Sequence, residues 1–558
     1  MLMRYLLLPL LLLTTAAAVA QVHDDDAYAG PSHARCGTEM LMNIRAQGGP
    51  RNKFERELLA GTVCSDRTPK QFNQVTSHGH FRIHYDRTGP DAVPSVDLDG
   101  NGTPDYIDST DFYLEYAWDV EIGEYKFDAP PDDHRGDGPE IDVYICDLPE
   151  DVYGFAYPEE DNPTDRPNTV NGLLVLDNDY SERLYTTKGI DGIRVTSAHE
   201  FNHIIQFSRY KYEYSAEATL YEATAVWFER QVHPSIPDYR QYVRGFLAHP
   251  DSFAFSTNHV QDAITGYAHV LYLDYLAKRI DRDITRRIWE EFKKHDFVTE
   301  SVDAALQPNS LNFENSYCEF ATWCYYTGAR AQDEKYFPEA QVYPTMRAVT
   351  IPPRELDDDI VIQGSLYPLS FGLYEVTTHK TGSTIRDTID FVITNGRTDY
   401  GHGGVGIRKE DFSLTVSRTE KSGYLSLPYD GTQIYYRLDA ASTTHFCIER
   451  IIAGQSIASL ATSIFPQPFI NDGADQLVVG VNMALDQIRS VRLMIYSSSL
   501  TPVADIKGTS LSEVNNHLGV VWNGKDLGNR LAPSGIYFYE LSINGASPTL
   551  GKFAVVRK

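Results

Sequence analysis

The stretch 195–229, VTSAHEFNHIIQFSRYKYEYSAEATLYEATAVWFE, constrains this chain more than any other part of it. His199 and His203 are four residues apart, so on an α-helix they project from one face, about a turn from each other. Two imidazoles so placed reach one metal ion, and Glu200 beside them lies close to a water that the ion would hold. Neutral nitrogen ligands, an open position and an adjacent carboxylate base are what zinc hydrolases need. Ile193, Val195, Phe201, Ile204, Ile205 and Phe207 supply a broad apolar face, and neither Pro nor Gly interrupts the run after Gly192. The plainer reading is a helix with a polar stripe and two surface histidines.

A second helical run is expected over residues 216–231, with Ser215 as N-cap and Glu217 in the first turn. Glu222 opens Glu222-Ala223-Thr224-Ala225 within it, and eighteen residues lie between His203 and Glu222. In these residues the chain resembles the gluzincin metallopeptidases, whose third ligand is a Glu on the next helix in an E-x-x-A setting. The interval is that of their aminopeptidase branch, one residue shorter than in the thermolysin branch. The resemblance implies a thermolysin-like α+β zincin domain. In it His199, His203 and Glu222 hold Zn2+, Glu200 is the general base, and a Tyr or His further on donates to the oxyanion. Tyr267 and His269 stand at broadly that distance; two apart on a helix, they cannot share a face, and Tyr267 is preferred. One departure concerns the support of a histidine. Thermolysin-like enzymes carry an Asp four residues after the glutamate ligand, but Val226 stands here, leaving the task to a group such as Glu229. Arg35-Cys36-Gly37 bears a faint resemblance to the inhibitory cysteine of some metallopeptidase pro-segments, although a disulfide accounts for Cys36 without that role.

The elements before the motif read as a strand at 80–85, a helix at 111–125 burying Phe112, Leu114, Trp118 and Ile122, and strands at 141–146 and 173–176. Either 153–157 or 173–176 is expected to be the edge strand that takes up a substrate backbone. His84 reads as a strand residue beside the core. Helices are expected at 239–248, 261–279, 282–294 and 315–326.

Between the first strand and helix lies Asp97-Leu98-Asp99-Gly100-Asn101-Gly102-Thr103-Pro104-Asp105-Tyr106-Ile107-Asp108. Oxygen donors occupy positions one, three, five, nine and twelve, Gly sits at six, and Thr103 offers a backbone carbonyl at seven. That is calcium-loop spacing, and it resembles EF-hand and dockerin loops. Asp108 replaces the usual glutamate at position twelve. Asp97, Asp99, Asn101, Thr103, Asp105 and Asp108 are therefore the expected structural Ca2+ ligands, against an Asx-rich turn without an ion.

At 558 residues the chain is too long for one core. Its formal charge of -28 argues against nucleic acid or an anionic membrane surface as partner. Residues 1–20 read as a signal peptide, with Arg4, an apolar run and an Ala18-Val19-Ala20 cleavage site; no other stretch reads as a membrane span. The expected location is secreted or at a bacterial cell surface. Six cysteines in an exported chain imply disulfides, with Cys36–Cys64 and Cys318–Cys324 as the local pairings and Cys146 and Cys447 left over.

The expected order is a signal peptide (1–20), an N-terminal segment or pro-region (21–76, with a helical stretch near 52–59), the zincin domain (77–350), a β-sandwich domain (351–462) and a second β domain (463–558). The last, with Trp522-Asn523-Gly524 and Ser534-Gly535-Ile536-Tyr537-Phe538-Tyr539, resembles the Ig-like C-terminal domains of bacterial exported proteins, both flagellar-hook-cap-like and type nine secretion sorting domains. That resemblance implies bacterial secretion machinery as a partner. The function expected is peptide-bond hydrolysis in a protein or peptide substrate by a zinc-dependent endopeptidase. The rival is a non-catalytic, calcium-stabilised surface or adhesion protein with a zincin-like domain.

Overall fold

The computed structural model describes residues 67–557 apart from breaks, the longest being 453–463, 399–407, 481–489, 256–263, 418–424 and 380–385, together with residues 19–21, 36–38 and 41. The expected helix at 52–59, Cys64, and the cap residues Ser215 and Glu217 lie outside the described residues. The architecture is mixed α/β with several sheets, divided into two compact units: 1–417 with 436–451, and 418–435 with 452–558.

The first unit is built on a five-stranded sheet. Val19–Gln21 (β1) lies elsewhere, parallel to Ile360–Leu366, so cleavage after Ala20 would remove two of its three residues. The sheet comprises Phe72–Val75 (β2), Phe81–Tyr85 (β3), Ile141–Cys146 (β4), Gly154–Pro163 (β5) and Val170–Asp177 (β6), in the order β2-β3-β4-β6-β5. The central strands β3, β4 and β6 run parallel, and every residue of β4 and β6 is buried. That explains their unbroken apolar runs, since such strands are covered on both faces. Between the two candidates for the edge, β5 holds that position, antiparallel to β6, while 173–176 lies inside the sheet.

The helix after the acidic loop, Asp105–Trp118 (α1), begins six residues earlier than expected and continues as a π-turn to Glu124. Leu114 is buried, but Phe112 is 61 % exposed and does not belong to the buried side. Ile190–Ile205 (α2) carries the two histidines and is buried almost all round, so its inward face is far broader than a surface helix shows. Ala218–Val232 (α3) packs against it. Arg240–Ala248 (α4), Ile264–Ala268 (α5), Val270–Arg279 (α6), Ile284–Phe292 (α7), Val298–Leu306 (α8) and Phe313–Tyr325 (α9) follow. The helix expected over 261–279 is interrupted at His269, and α8 was not anticipated.

Two further sets of paired strands lie in this unit. In one, Ser370–His379 pairs antiparallel with Arg386–Asn395 and parallel with Ala348–Glu355; in the other, Ile360–Leu366 pairs antiparallel with Glu410–Ser417. The rings of Tyr374 and Phe412, 5.2 Å apart, join them. Phe371 packs on Phe246 and Phe320, so the helices and the first of these sets share one core. A disulfide, Cys318–Cys447, ties α9 to the strand Phe446–Ile452. This corrects the expected pairings. Cys318 and Cys324 sit on one helix with about 9 Å of rise between them, beyond the span of a disulfide. Cys36 and Cys324 are free and buried, and Cys146 is disulfide-bonded.

The second unit holds Leu477–Gly480 antiparallel to His517–Trp522, and a five-stranded sheet including Val491–Ser497, Gly535–Ile543 and Thr549–Arg557. Phe469, Trp522, Tyr537 and Phe553 fill its core. The Asn471 amide donates to the carbonyls of Gly524 and Ala532, closing the turn after Trp522. No helix among the described residues is long and apolar enough to cross a membrane.

Candidate metal centre

His199 and His203 leave α2 one turn apart, and Glu222 leaves the facing side of α3. His199 Nε2 and His203 Nε2 are 3.2 Å apart; Glu222 Oε2 is 3.2 Å from the first and Glu222 Oε1 3.5 Å from the second. Cys36 Sγ stands 3.4 Å from His203 Nε2. One donor atom from each of Cys36, His199, His203 and Glu222 lies within 4.8 Å of all the others, and all four residues are buried. Zinc bonds of about 2.0–2.1 Å to nitrogen or oxygen and 2.3 Å to sulfur put the corners of a tetrahedron about 3.3–3.6 Å apart. The observed spacings match, and the donor set fits Zn2+.

Two glycines allow the elements to come this close. A Cβ at Gly154 on β5 would meet the Thr196 side chain at 2.7 Å and Glu200 Cγ at 3.3 Å. A Cβ at Gly266 on α5 would meet Glu222 Cβ at 2.7 Å. A larger residue at either position forces Thr196 and Glu200, or Glu222, to shift.

Behind the donors lies a second layer of polar groups. His199 Nδ1 is 2.6 Å from Glu229 Oε1, so Glu229 takes the place that Val226 leaves empty. His203 Nδ1 is 2.8 Å from Gln206 Oε1, and the Gln206 amide donates to Asn202 Oδ1 and to the Tyr221 carbonyl. Asn202 in turn donates to Glu121 Oε2 at 2.8 Å. Such partners fix ring orientation and tautomer. Gln206 and Asn202 escaped sequence reading, although Gln206 stands at i+3 from His203 on the same helical face, which was a usable signal.

Burial opposes a charged imidazole, yet the neighbouring Cys36, Glu222 and Glu229 outweigh it at His199 and hold that ring well above the ordinary histidine range. At His203 burial is likewise outweighed, by Glu222 first and then Cys36. Burial pushes Glu222 upward, but His203 and His199 bring it down to about 2. The cluster is therefore arranged for positive charge opposite Glu222, which a divalent cation supplies on displacing the imidazole protons. Glu200 moves the other way: burial raises it, and the two imidazoles only partly offset that. Burial also raises Glu121 well above the carboxylate range.

Glu200 is fully enclosed, with Thr38 Oγ1 3.1 Å and Cys36 Sγ 3.6 Å from its Oε2. The Tyr267 hydroxyl accepts the Cys36 N–H at 3.2 Å, and its ring lies 5.9 Å from that of His199. His269 is turned away, its Nε2 3.0 Å from the Tyr317 hydroxyl. A cavity lined by Tyr153, Glu200, Asp238, Tyr242 and Tyr267 opens beside the cluster.

In the acidic loop the structure brings together the carboxylates of Asp97, Asp99 and Asp105. Asn101 Nδ2 donates to Asp99 Oδ2 and Asp108 Oδ2, which joins Asp108 to the group, while Asn101 Oδ1 accepts the Thr103 N–H.

No protein-family model matches the sequence, and no curated protein matches it at a significant level.

Proposed function

We propose that this chain is a secreted zinc-dependent endopeptidase acting on proteins. The observation that carries the reading is the convergence of His199, His203 and Glu222 at metal-ligand spacing, with Glu200 enclosed one residue from the first. His199, His203 and Glu222 hold Zn2+, which when bound polarises the scissile carbonyl and makes water acidic enough to ionise near neutral pH.

The chain's own residues do the rest. Glu200 accepts the proton of the attacking water and passes it to the leaving amine; its raised proton affinity suits both halves of that task. The Tyr267 hydroxyl, already in hydrogen-bond contact with a backbone amide in the cleft, donates to the carbonyl oxygen as negative charge develops there. Strand β5, at the sheet edge, pairs with the substrate backbone and sets it across the cluster. Glu229 and Gln206 keep the two imidazoles aimed at the ion. The acidic loop at the start of α1 takes Ca2+ in a structural role, supported by its three gathered carboxylates.

Replacing Glu200 by Gln tests the mechanism. Elemental analysis should show zinc retained, while casein hydrolysis falls about 10²- to 10⁴-fold. Undiminished hydrolysis by E200Q removes Glu200 from the mechanism.

A further inference from the structure

Residues 36–38 lie across the cleft, and the side-chain and amide contacts of Cys36 and Thr38 fall on groups the proposed reaction needs. Cys36 makes a parallel bridge with Gly154 at the start of β5. Two residues on, the Ala156 N–H donates to Thr38 Oγ1 at 2.7 Å, and that hydroxyl is also 3.3 Å from the Ala156 carbonyl. The segment thus lies along the edge strand where an added chain would pair. Leu41 anchors it, wholly buried among Tyr144, Val152, Phe155 and Leu173. The Cys36 amide is bonded to Tyr267, Thr38 reaches Glu200, and Cys36 Sγ completes the four-donor cluster.

We infer that Cys36 is a fourth zinc ligand and that residues 36–38, anchored by Leu41, form an inhibitory strap, keeping the enzyme latent until they leave the cleft. The inference rests on the zinc peptidase reading and adds its regulation. Three protein donors would leave one position of a tetrahedral zinc for the reacting water, and the Cys36 sulfur is the fourth donor gathered with them. On coordination the thiol gives up its proton to solvent and binds as thiolate. Thr38 meanwhile holds the oxygen of Glu200 that would take the water's proton. Water and base are blocked together, and the cleft is closed to an incoming chain along the same strand. Cys36 being free, where a disulfide was expected, is what such a ligand requires.

Cobalt(II) substitution of the full-length chain tests this without a variant. The loaded chain should show both the visible bands of tetrahedral cobalt and a near-ultraviolet sulfur-to-cobalt charge-transfer band; C36S should keep the first and lose the second. C36A should also hydrolyse casein at least tenfold faster than the unaltered full-length chain. Cobalt bound with no sulfur band overturns the strap's ligand and leaves the peptidase reading standing. A chain that takes up no cobalt removes both. Equal hydrolysis by C36A and the unaltered chain, both active, overturns the latency.

Discussion

His199 is held between two carboxylates, Glu222 at Nε2 and Glu229 at Nδ1, so the imidazole has one orientation open to it. His233, four residues beyond Glu229, shows the opposite environment. Burial first, then the nearby positive charge of Arg194, pushes its ring down to about 4, with Asp191 only partly opposing. Its ring lies against Tyr113 and Tyr116. Between about pH 6.5 and 4 the unfolded chain takes up a proton that the folded chain refuses. Stability therefore rises with pH across that window and is lost on acidification, by about 2 kcal/mol from this residue. H233F should flatten that part of the profile in denaturant melts at pH 7 and pH 4.5; an unchanged slope refutes the assignment. At this scale the convergence of His199 and His203 was legible in the sequence, because helical periodicity fixes which side chains share a face, while Glu222 entered through a resemblance and not through periodicity. Cys36 was not legible. Its partners stand more than 160 residues away, and one among six cysteines in an exported chain reads as half of a disulfide.

Among the elements, the acidic loop and α1 form a pair: the loop closes on Asp105, which is also the first residue of the helix. Two of the spacing-derived ligands, Asp105 and Asp108, thus fall in the first helical turn, where carboxylates face the positive end of the helix dipole. Reading the loop as ending at Asp108 is what delayed the expected helix start. No ion pair joins a Lys or Arg among the described residues to Asp97, Asp99 or Asp105, so a bound cation would relieve their mutual repulsion. With a dissociation constant of about 10⁻⁴–10⁻³ M, 10 mM Ca2+ should stabilise the chain by about 1.4–2.7 kcal/mol. D99A should abolish the rise in melting temperature that calcium produces and magnesium does not. A melting temperature indifferent to calcium sinks the loop's assignment. The break at His269 was invisible to periodicity, because Tyr267 serves the cleft while His269 serves the helical core.

In the first unit, helices and β-sheets are joined both by a shared aromatic core and by the Cys318–Cys447 bond, which encloses a separation of 129 residues. Closing so long a loop in the unfolded chain favours the fold by about 5 kcal/mol in the chain-entropy limit, with about 2–4 kcal/mol more usual in practice. C447S should therefore lower the denaturation midpoint of this unit while zinc content stays unchanged, since α9 contributes no ligand. A variant as stable as the parent contradicts that role. Sequence spacing favoured the shorter pairing; only the tertiary packing of α9 on a sheet reveals the longer one.

The position of β5 at the margin of its sheet has one more consequence. Every peptide carries the same N–H and C=O groups, so a marginal strand welcomes any extended chain without regard to its letters. Under the proposed peptidase reading, discrimination among polypeptides would fall to the cavity by Tyr153, Asp238 and Tyr242. An uncovered margin is also an invitation to self-association, which Cys36 and Thr38, lying along it, would oppose.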